Sequence, residues 1–462
     1  MNALERRSIA ALAMLYCFRM LGLFMVLPLL SLYADDLIGA TPVLLGLAIG
    51  VYGLTQALLQ IPLGMLSDRI GRFPVLMAGL GVFALGSFVA AQAETIEGVI
   101  LGRLLQGAGA ISSTIMALVS DLTRDEQRTK AMALLGISIG LSFVLALVLG
   151  PVLAGQGGLP LVFNATGVLA LLGAAALWLA VPRVKRVPTH GEVGTVPGLL
   201  RRTLADARLL RLNTGVFMLH FILMASFLGL PLVLESELGI DRDIHWQVYL
   251  PTVAVSVIGM VLLITLADRL GRLRLALGLS VVALAASQLL TQGDYSLWVF
   301  IGGLCLFFTA FNYLEAALPS LISKTVYAGG KGTALGVYAS FQFLGAFAGG
   351  AAGGVAMAWG GVEAVFTLCA LVALAWLPFA LGLSVPRNLD NRTVRLPAGE
   401  AEARALLERL GAADGVADML VMSDEDTVYL KVDSERFDES LLHAGRENLA
   451  EVSIPAPGGQ MA

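Results

Sequence analysis

The chain has 462 residues, of which 57% are hydrophobic and only 14% are charged, and its mean hydropathy is +0.82. A water-soluble globular fold cannot hide that much apolar surface, so the composition excludes an ordinary soluble protein and predicts a membrane protein. The net charge of −4 is unevenly spread, because residues 387–462 carry eight Lys or Arg and fifteen Asp or Glu.

In chain order, apolar segments of roughly 20 residues, the length that crosses a bilayer, predict twelve transmembrane helices. Their expected ranges are 8–34, 42–66, 73–94, 96–122, 130–155, 158–181, 210–235, 246–268, 272–292, 297–324, 330–355 and 357–383. With the N-terminus inside, Lys and Arg collect in the inner loops and only Arg242 lies in an outer one. We therefore expect a multi-pass membrane protein with both termini in the cytoplasm.

Six polar side chains in the predicted spans are candidates for lining a cavity, and three of them, Arg19, His220 and Glu315, come near mid-membrane depth. In chain order the six are Arg19, Arg103, Gln106, His220, Asn312 and Glu315. An ionisable group there costs at least ~2.5–3.5 kcal/mol and usually faces a cavity or a partner. These residues are therefore expected to line one central cavity between the two halves.

Glu315 is the first candidate for carrying a proton, because its carboxyl can gain or lose one as its surroundings change. His220 is the second candidate, since imidazole titrates close to neutral pH. Arg19 and Arg103 stay charged, so they would tune an acid, hold an anion or pair with a carboxylate. The alternative is structural: a Glu–Arg or His–backbone bond would simply hold helices together.

A charged loop follows the second predicted span and recurs after the eighth. The first copy is Gly64-x3-Asp68-Arg69-x-Gly71-Arg72, and the second is Asp268-Arg269-x-Gly271-Arg272. Such a repeat indicates internal duplication, and transporters with repeated halves bind substrate where the halves meet. Asp68 and Arg72 can form charge-assisted bonds that latch one conformation. The alternative is that the arginines only keep the loop in the cytoplasm.

These motifs together resemble the major facilitator superfamily. They are the two loop copies, Arg103-x2-Gln106-Gly107 in span four, Gly150-Pro151 at the end of span five and Tyr16-x2-Arg19-x2-Gly22 in span one. The last two resemble its drug/proton antiporter branch. The resemblance covers residues 8–383 and implies an all-α membrane fold of two six-helix halves. It also implies that Asp68 faces the start of span eleven near Thr333, that Arg72 meets Asp121, and that Arg103 takes part in proton coupling.

Glycines in span five suggest close packing against a neighbouring helix. Gly136, Gly140 and Gly150 lie among small residues, and Pro151 removes a backbone donor at which the helix can bend. Ordinary helix packing is the competing interpretation of this pattern.

The boundaries predict four parts: a six-helix half at 1–182, a cytoplasmic linker at 183–209, a second half at 210–384 and a water-facing domain at 385–462. In the linker, Arg201, Arg202, Arg208 and Arg211 suggest an amphipathic helix on the inner surface, although a solvated connector also fits. The tail alternates strand and helix patterns in the order β-α-β-β-α-β of a small ferredoxin-like domain. That domain narrows the resemblance to bacterial members of the branch that carry one, which implies a location in the bacterial inner (cytoplasmic) membrane.

The expected function is therefore export of small organic, drug-like compounds by alternating access, coupled to inward proton movement. No cofactor beyond the proton gradient, no metal site, no nucleic-acid partner and no enzyme activity are expected, and no GxxxxGK[ST] loop for ATP occurs. The expected partners are the lipid bilayer, the substrate and protons, while the acidic tail suggests cations or a cytosolic partner. Two alternatives remain: an importer or facilitator of the same fold, and a transporter-like membrane sensor with a regulatory tail.

Overall fold

The computed structural model describes residues 3–182, 197–292, 296–383, 389–397, 399–422, 427–433 and 436–438. Most of them form a bundle of apolar helices. Its helices are α1 Ala3–Val26, α2 Pro42–Ile70, α3 Arg72–Ala91, α4 Ile96–Ala108, α5 Ser112–Asp121, α6 Asp125–Ala180, α7 Pro197–Ala205, α8 Ala207–Leu232, α9 Trp246–Ile264, α10 Leu273–Leu290, α11 Leu297–Thr325 and α12 Lys331–Leu381. The C-terminal domain contains β1 Asp390–Arg395, α13 Glu400–Ala412, β2 Val416–Met422 and β3 Thr427–Val432.

Two glycine pairs divide the longest helices. Gly157-Gly158 in α6 and Gly360-Gly361 in α12 have non-helical backbone angles, and φ is +64° at Gly158 and +66° at Gly361. This left-handed region favours glycine because other residues are strained there. Ten helical segments in the described chain are long and apolar enough to cross a membrane, and two of these, Lys130–Ala180 and Lys331–Leu381, are 51 residues long. Dividing those two at their glycine pairs gives twelve spans, in agreement with the predicted number.

The spans are numbered accordingly. Spans one to four are α1, α2, α3 and the pair α4–α5; five and six are the two parts of α6; seven to ten are α8, α9, α10 and α11; eleven and twelve are the two parts of α12. We call the end of the bundle that carries the Asp68 loop and the C-terminal domain the domain end. The opposite end, with the loops at Gly39 and Arg242, is the far end.

Three predicted helix boundaries are wrong. Span one ends at Val26 rather than at residue 34, because Pro28 has no amide hydrogen to continue the helix and the chain enters turns. Span four is interrupted between Ala108 and Ser112 rather than continuous. The predicted linker helix is divided at Asp206, whose carboxylate accepts the Arg208 and Leu209 amide hydrogens and so begins α8.

The C-terminal domain contains a three-stranded antiparallel sheet in the order β1-β3-β2. Alternating apolar residues turn one face of the sheet toward α13, where Val394, Leu406, Leu410, Val428 and Leu430 are buried together. These elements and their order agree with the first part of the predicted ferredoxin-like domain. Its predicted second helix and last strand lie outside the described residues, apart from 436–438.

The C-terminal domain binds the loop between spans ten and eleven, residues 326–330. The buried Lys431 Nζ donates to the Lys324 carbonyl oxygen at 2.6 Å and also to the Val326 carbonyl. Asp418 Oδ2 accepts the Ala328 amide hydrogen at 3.0 Å. Burial lowers the pKa of the Lys431 ammonium, and Asp418 opposes that shift. The domain therefore holds this loop by its backbone rather than by its side chains.

The linker helix α7 lies against the same loop. The Arg202 guanidinium stacks 4.1 Å from the Tyr327 ring centroid, and Thr203 Oγ1 lies 2.6 Å from the Tyr327 hydroxyl. Arg202 also approaches Asp418 of the C-terminal domain at 3.9 Å. Linker, loop and domain therefore meet at the point where spans ten and eleven are joined.

Candidate functional site

Arg19 in span one is fully buried, with 1% of its surface exposed, and its described partners are neutral. Its Nη1 donates to Ser112 Oγ at 2.6 Å, and its Nη2 donates to Gln56 Oε1 at 2.8 Å and to Tyr52 at 3.0 Å. The break in span four also turns the Gly109 carbonyl toward Nη2, at 3.4 Å. Because a buried cation needs acceptors, this arrangement ties spans one, two and four together.

Arg103 in span four is equally buried and binds the backbone of span two. Its Nε donates to the Ala48 carbonyl at 3.3 Å and its Nη1 to Gln106 Oε1 at 2.9 Å, while its guanidinium lies 5.0 Å from the Tyr52 ring centroid. Gln106 continues to Ser87 Oγ of span three at 2.8 Å. In the described chain neither arginine forms an ion pair with Glu315, and the expectation that these residues line one cavity stays a prediction.

His220 and Glu315 come together in the second half. His220 Nε2 of span seven lies 3.7 Å from Glu315 Oε2 of span ten. Between them lies Gln342 of span eleven, whose Nε2 is 2.8 Å from His220 Nε2 and 3.2 Å from Glu315 Oε1. The Glu315 side chain is 39% exposed, whereas that of His220 is only 10% exposed. Two titratable groups from different spans thus share one amide.

The remaining polar residue predicted for the cavity, Asn312, lies one helical turn before Glu315 on α11. Its Nδ2 donates to Ser256 Oγ of span eight at 3.1 Å, so it joins spans eight and ten. Gln342 was missed by sequence reasoning, although an amide between Phe341 and Phe343 within an apolar span was a usable signal.

The His220–Glu315 pair faces the first half of the molecule. The Glu315 carboxylate interacts electrostatically with the hydroxyl groups of Tyr16 in span one and Tyr338 in span eleven, and Tyr16 also interacts with Arg19. The rings of Phe143 and Phe308 meet across the two halves at 6.0 Å. The polar clusters of the two halves are therefore neighbours across the interface, without a direct bond between Arg19 and Glu315 in the described chain.

At the far end, spans two and eleven contact each other through glycine backbones. A Cβ atom added to Gly46 would clash with the Gly350 carbonyl and lie 2.7 Å from Gly354 Cα. One added to Gly50 would lie 2.7 Å from the Phe347 carbonyl oxygen. These contacts, which we call the glycine seam, bring the two halves together on the far-end side of Gln342.

The loop before span eight closes the far end from the other side. Arg242 Nη1 donates to the Leu32 carbonyl at 3.2 Å, and its guanidinium lies 4.6 Å from the Tyr33 ring centroid. The neighbouring Asp243 lies against Gly155, where a Cβ atom would be 2.7 Å from Asp243 Oδ1. Both contacts connect the first half with the second.

At the domain end, the first loop copy is held by ion pairs. Arg72 bonds to Asp68, and its Nε donates to Asp121 Oδ2 at 3.1 Å, the partner that the resemblance implies. Gly71 has φ +104°, which allows the chain to turn from α2 into α3. A Cβ atom at Gly64 would lie 3.1 Å from Ser113 Oγ of span four. Thr333 is buried at the start of α12, and its pairing with Asp68 stays a prediction.

The second loop copy is not held in the same way. Asp268, Arg269 and Arg272 are exposed, and they form no ion pair within the described part of the chain. Gly271 has φ +64° and again permits the turn. The last turn of span ten carries Lys324, whereas span four ends in Asp121. A lysine there cannot pair with Arg272, which explains the asymmetry.

Of the glycines predicted to pack in span five, only Gly150 does so. A Cβ atom there would lie 3.0 Å from the Met25 carbonyl oxygen of span one. Gly136 and Gly140 have nothing within 4 Å of an added Cβ, so the prediction of close contact at these two residues is wrong. Pro151 lies inside α6, and the helix continues beyond it to the break at Gly157.

Two families match the sequence. The Major Facilitator Superfamily matches residues 12–350 and 214–411, and the YajR YAM domain matches residues 393–437. The chain is 43% identical over 435 residues to the inner membrane transport protein YajR of Escherichia coli (strain K12), covering 93% of this chain and 95% of that protein. The expected resemblance to a member with a C-terminal domain is thereby confirmed.

More distant similarity extends to two further proteins. The multidrug resistance protein MdtL of Klebsiella pneumoniae (strain 342) is 28% identical over 232 residues, covering 48% of this chain and 57% of MdtL. The structure of a bacterial homolog of the human lysosomal transporter Spinster, inward-facing and occupied, has a TM-score of 0.66 at 15% identity, covering 83% of this chain and 96% of that one. The latter supports the fold alone.

Proposed function

This chain belongs to the Major Facilitator Superfamily, and we propose that it is a proton-coupled secondary transporter that exports small organic compounds by alternating access. The observation that carries the proposal is the His220–Gln342–Glu315 cluster, because it holds two titratable groups at the interface of the halves, within membrane spans. The similarity to MdtL, a multidrug resistance protein, supports drug-like substrates.

The proposed cycle uses the two ends of the bundle in turn. In this proposal both termini lie in the cytoplasm, so that the far end, which is closed by the glycine seam and Arg242, faces the periplasm and entry is from the domain end. An amphipathic compound then enters beside the ionised Glu315. After the halves rock about their interface, a proton from outside neutralises the carboxyl and the compound leaves. No cofactor other than the proton gradient takes part.

The exposure of Glu315 supports its role in this cycle. Its side chain is 39% exposed although it lies within a span, and one carboxyl oxygen, Oε2, is buried without a hydrogen-bond partner in the described chain. A carboxylate left with an unsatisfied buried oxygen gains from binding a proton or a cationic group. Arg19 and Arg103 bind neutral acceptors instead, so we assign them a structural role in joining the spans of the first half.

The test is efflux of a panel of lipophilic fluorescent dyes from cells, with and without a proton uncoupler. Glu315→Gln is compared with Glu363→Gln, which alters an exposed carboxyl at the far end of span twelve. We expect uncoupler-sensitive efflux in the wild type and in Glu363→Gln, and a loss of at least tenfold in Glu315→Gln. Normal efflux by Glu315→Gln would contradict the proton role, and efflux that ignores the uncoupler would favour a facilitator.

A further inference from the structure

Gln342 is the one side chain that bonds to both members of the titratable pair within the described chain. Its amide nitrogen lies 2.8 Å from His220 Nε2 and 3.2 Å from Glu315 Oε1. The three residues come from spans seven, ten and eleven. A change of protonation at His220 or Glu315 therefore alters a hydrogen bond of Gln342 on span eleven.

The hydrogen bonds fix a protonation state. His220 Nδ1 lies 3.2 Å from the Val216 carbonyl oxygen, which can only accept, so Nδ1 carries the hydrogen. Nε2 then has a free lone pair and accepts one amide hydrogen of Gln342. The other amide hydrogen goes to the Glu315 carboxylate. The network is therefore satisfied with a neutral imidazole and an ionised carboxyl.

A proton on His220 Nε2 breaks this arrangement, because two N–H donors would then face each other across 2.8 Å. Turning the amide over would give the imidazolium an acceptor but would point the amide oxygen at the Glu315 carboxylate. The new N–H is instead directed toward Glu315 Oε2, which is 3.7 Å away and has no hydrogen-bond partner in the described chain. Protonation thus expels Gln342 from its place between the two groups.

We propose that Gln342 is a positioning residue that converts protonation of the His220–Glu315 pair into movement of span eleven. The inference rests on the proposed function, in which this pair receives the proton. The same helix carries Phe347, Gly350 and Gly354 of the glycine seam with span two. Displacement of Gln342 therefore shifts span eleven relative to span two at the contact that closes the far end in this structure.

Other side chains on the elements around the pair face it as well. Tyr16 of span one and Tyr338 of span eleven interact electrostatically with Glu315, and Arg19 interacts with Tyr16. The Phe311 ring on span ten packs 5.9 Å from the His220 ring. None of these groups bonds to both His220 and Glu315 in the described structure, so the bridging role belongs to Gln342.

The test measures the distance across the far end as pH changes, in detergent micelles and without any substrate. Spin labels are placed at Ile38→Cys of the first half and Trp359→Cys of the second, which are 68% and 89% exposed, after replacing Cys17, Cys305 and Cys369. The variants are Gln342→Leu, which removes the amide, and Gln342→Glu, which offers a carboxylate. The control is Gln292→Leu, a half-buried amide at the end of span nine whose bonds go to Glu363 and Thr367 of span twelve and not to the titratable pair.

We expect the distance across the far end to change with a defined midpoint as pH falls, in the wild type and in the control. Because the amide stabilises the deprotonated pair, both Gln342 variants should shift the midpoint upward by about one to two pH units, and Gln342→Leu should also reduce the distance change. An unchanged midpoint or an unchanged distance response in Gln342→Leu overturns the inference. Failure of the proposed function gives a different result. In that case Glu315→Gln shows the same pH-dependent distance change as the wild type.

Discussion

The two copies of the charged loop differ in what their aspartates contact. Asp68 is bonded to Arg72, which also binds Asp121, whereas Asp268 is exposed and has no ion pair in the described chain. Within the described chain, ion pairs therefore hold the first copy of the loop but not the second. The difference comes from the ends of spans four and ten, where Asp121 and Lys324 carry opposite charges.

This difference provides a matched pair of substitutions. We expect Asp68→Asn to abolish transport without lowering the protein level, because the neutral amide cannot balance the Arg72 charge. Asp268→Asn should keep more than half of wild-type efflux, since its carboxylate has no ion pair to lose among the described residues. Dye efflux normalised to membrane protein measures both. Equal loss in the two variants would mean that the aspartates serve the turn itself rather than an ion pair.

The contacts of Arg103 depend on the planar shape of its guanidinium and not only on its charge. Its guanidinium reaches the Ala48 carbonyl, Gln106 and the face of Tyr52 at once. Lysine keeps the charge but not the planar fork, so Arg103→Lys should leave a buried acceptor unsatisfied and destabilise the protein by roughly 1–3 kcal/mol. Thermal unfolding in detergent measures this loss, with Arg404→Lys on the exposed face of α13 as the control.

The outcome also separates two roles for Arg103. If its charge alone matters for proton coupling, Arg103→Lys retains uncoupler-sensitive efflux. If it holds spans two and four together, as the structure indicates, efflux falls along with thermal stability. Wild-type stability in Arg103→Lys would contradict the structural role.

At single positions, the sequence allowed the types of functional residue to be predicted better than their partners. His220 and Glu315 were recognisable because ionisable groups in apolar spans are costly. Their meeting through Gln342 was not, because it depends on how three spans rotate about their axes. The pairing of arginines with neutral acceptors was equally hidden, since it follows from the break at Gly109 that turns a carbonyl toward Arg19.

At the level of helices, the glycine seam sets how closely spans two and eleven approach. The chain can form this contact only because Gly46, Gly350 and Gly354 have no side chains. A methyl group at Gly46 would overlap the backbone of span eleven, and backbone cannot rotate away as a flexible side chain can.

We therefore expect Gly46→Ala to hold the far end apart and to abolish transport. The distance between labels at Ile38→Cys and Trp359→Cys should increase and lose its pH dependence. Gly81→Ala in span three is the matched control, because nothing lies within 4 Å of a Cβ atom there. A wild-type distance distribution in Gly46→Ala would show that the seam adapts and does not act as a gate.

The number of helices was predictable because hydropathy and loop charge report it directly. The residues at which the helices begin and end were less predictable. The turns at Gly157-Gly158 and Gly360-Gly361 use the same backbone angles at equivalent places in the two halves, yet many other glycines occur in these spans and only the φ values distinguish the turning pair. The C-terminal strands were predictable from alternation, because a sheet with one covered face imposes it.

On the scale of the whole molecule, the C-terminal domain occupies the position where the second half lacks an ion-pair latch. Span four ends in Asp121, which binds Arg72, but span ten ends near Lys324, whose carbonyl binds Lys431 of the domain. The loop that the domain binds, residues 326–330, joins the helices that carry Glu315 and Gln342. Movement of span eleven is therefore expected to be transmitted to the domain.

This connection predicts the effect of Lys431→Met, which keeps the apolar stem of the side chain and removes its donors. Losing the bonds to the Lys324 and Val326 carbonyls should weaken docking, so that the Ala328 amide, now bonded to Asp418, exchanges its hydrogen roughly 10- to 100-fold faster. Hydrogen–deuterium exchange of the peptide that contains residues 326–330 measures this. Arg404→Met on exposed α13 is the control, because its described ion pair stays within that helix. Unchanged exchange at Ala328 would mean that α7, through Arg202 and Thr203 on Tyr327, is sufficient to hold the loop, and that the domain rests on the bundle without restraining it.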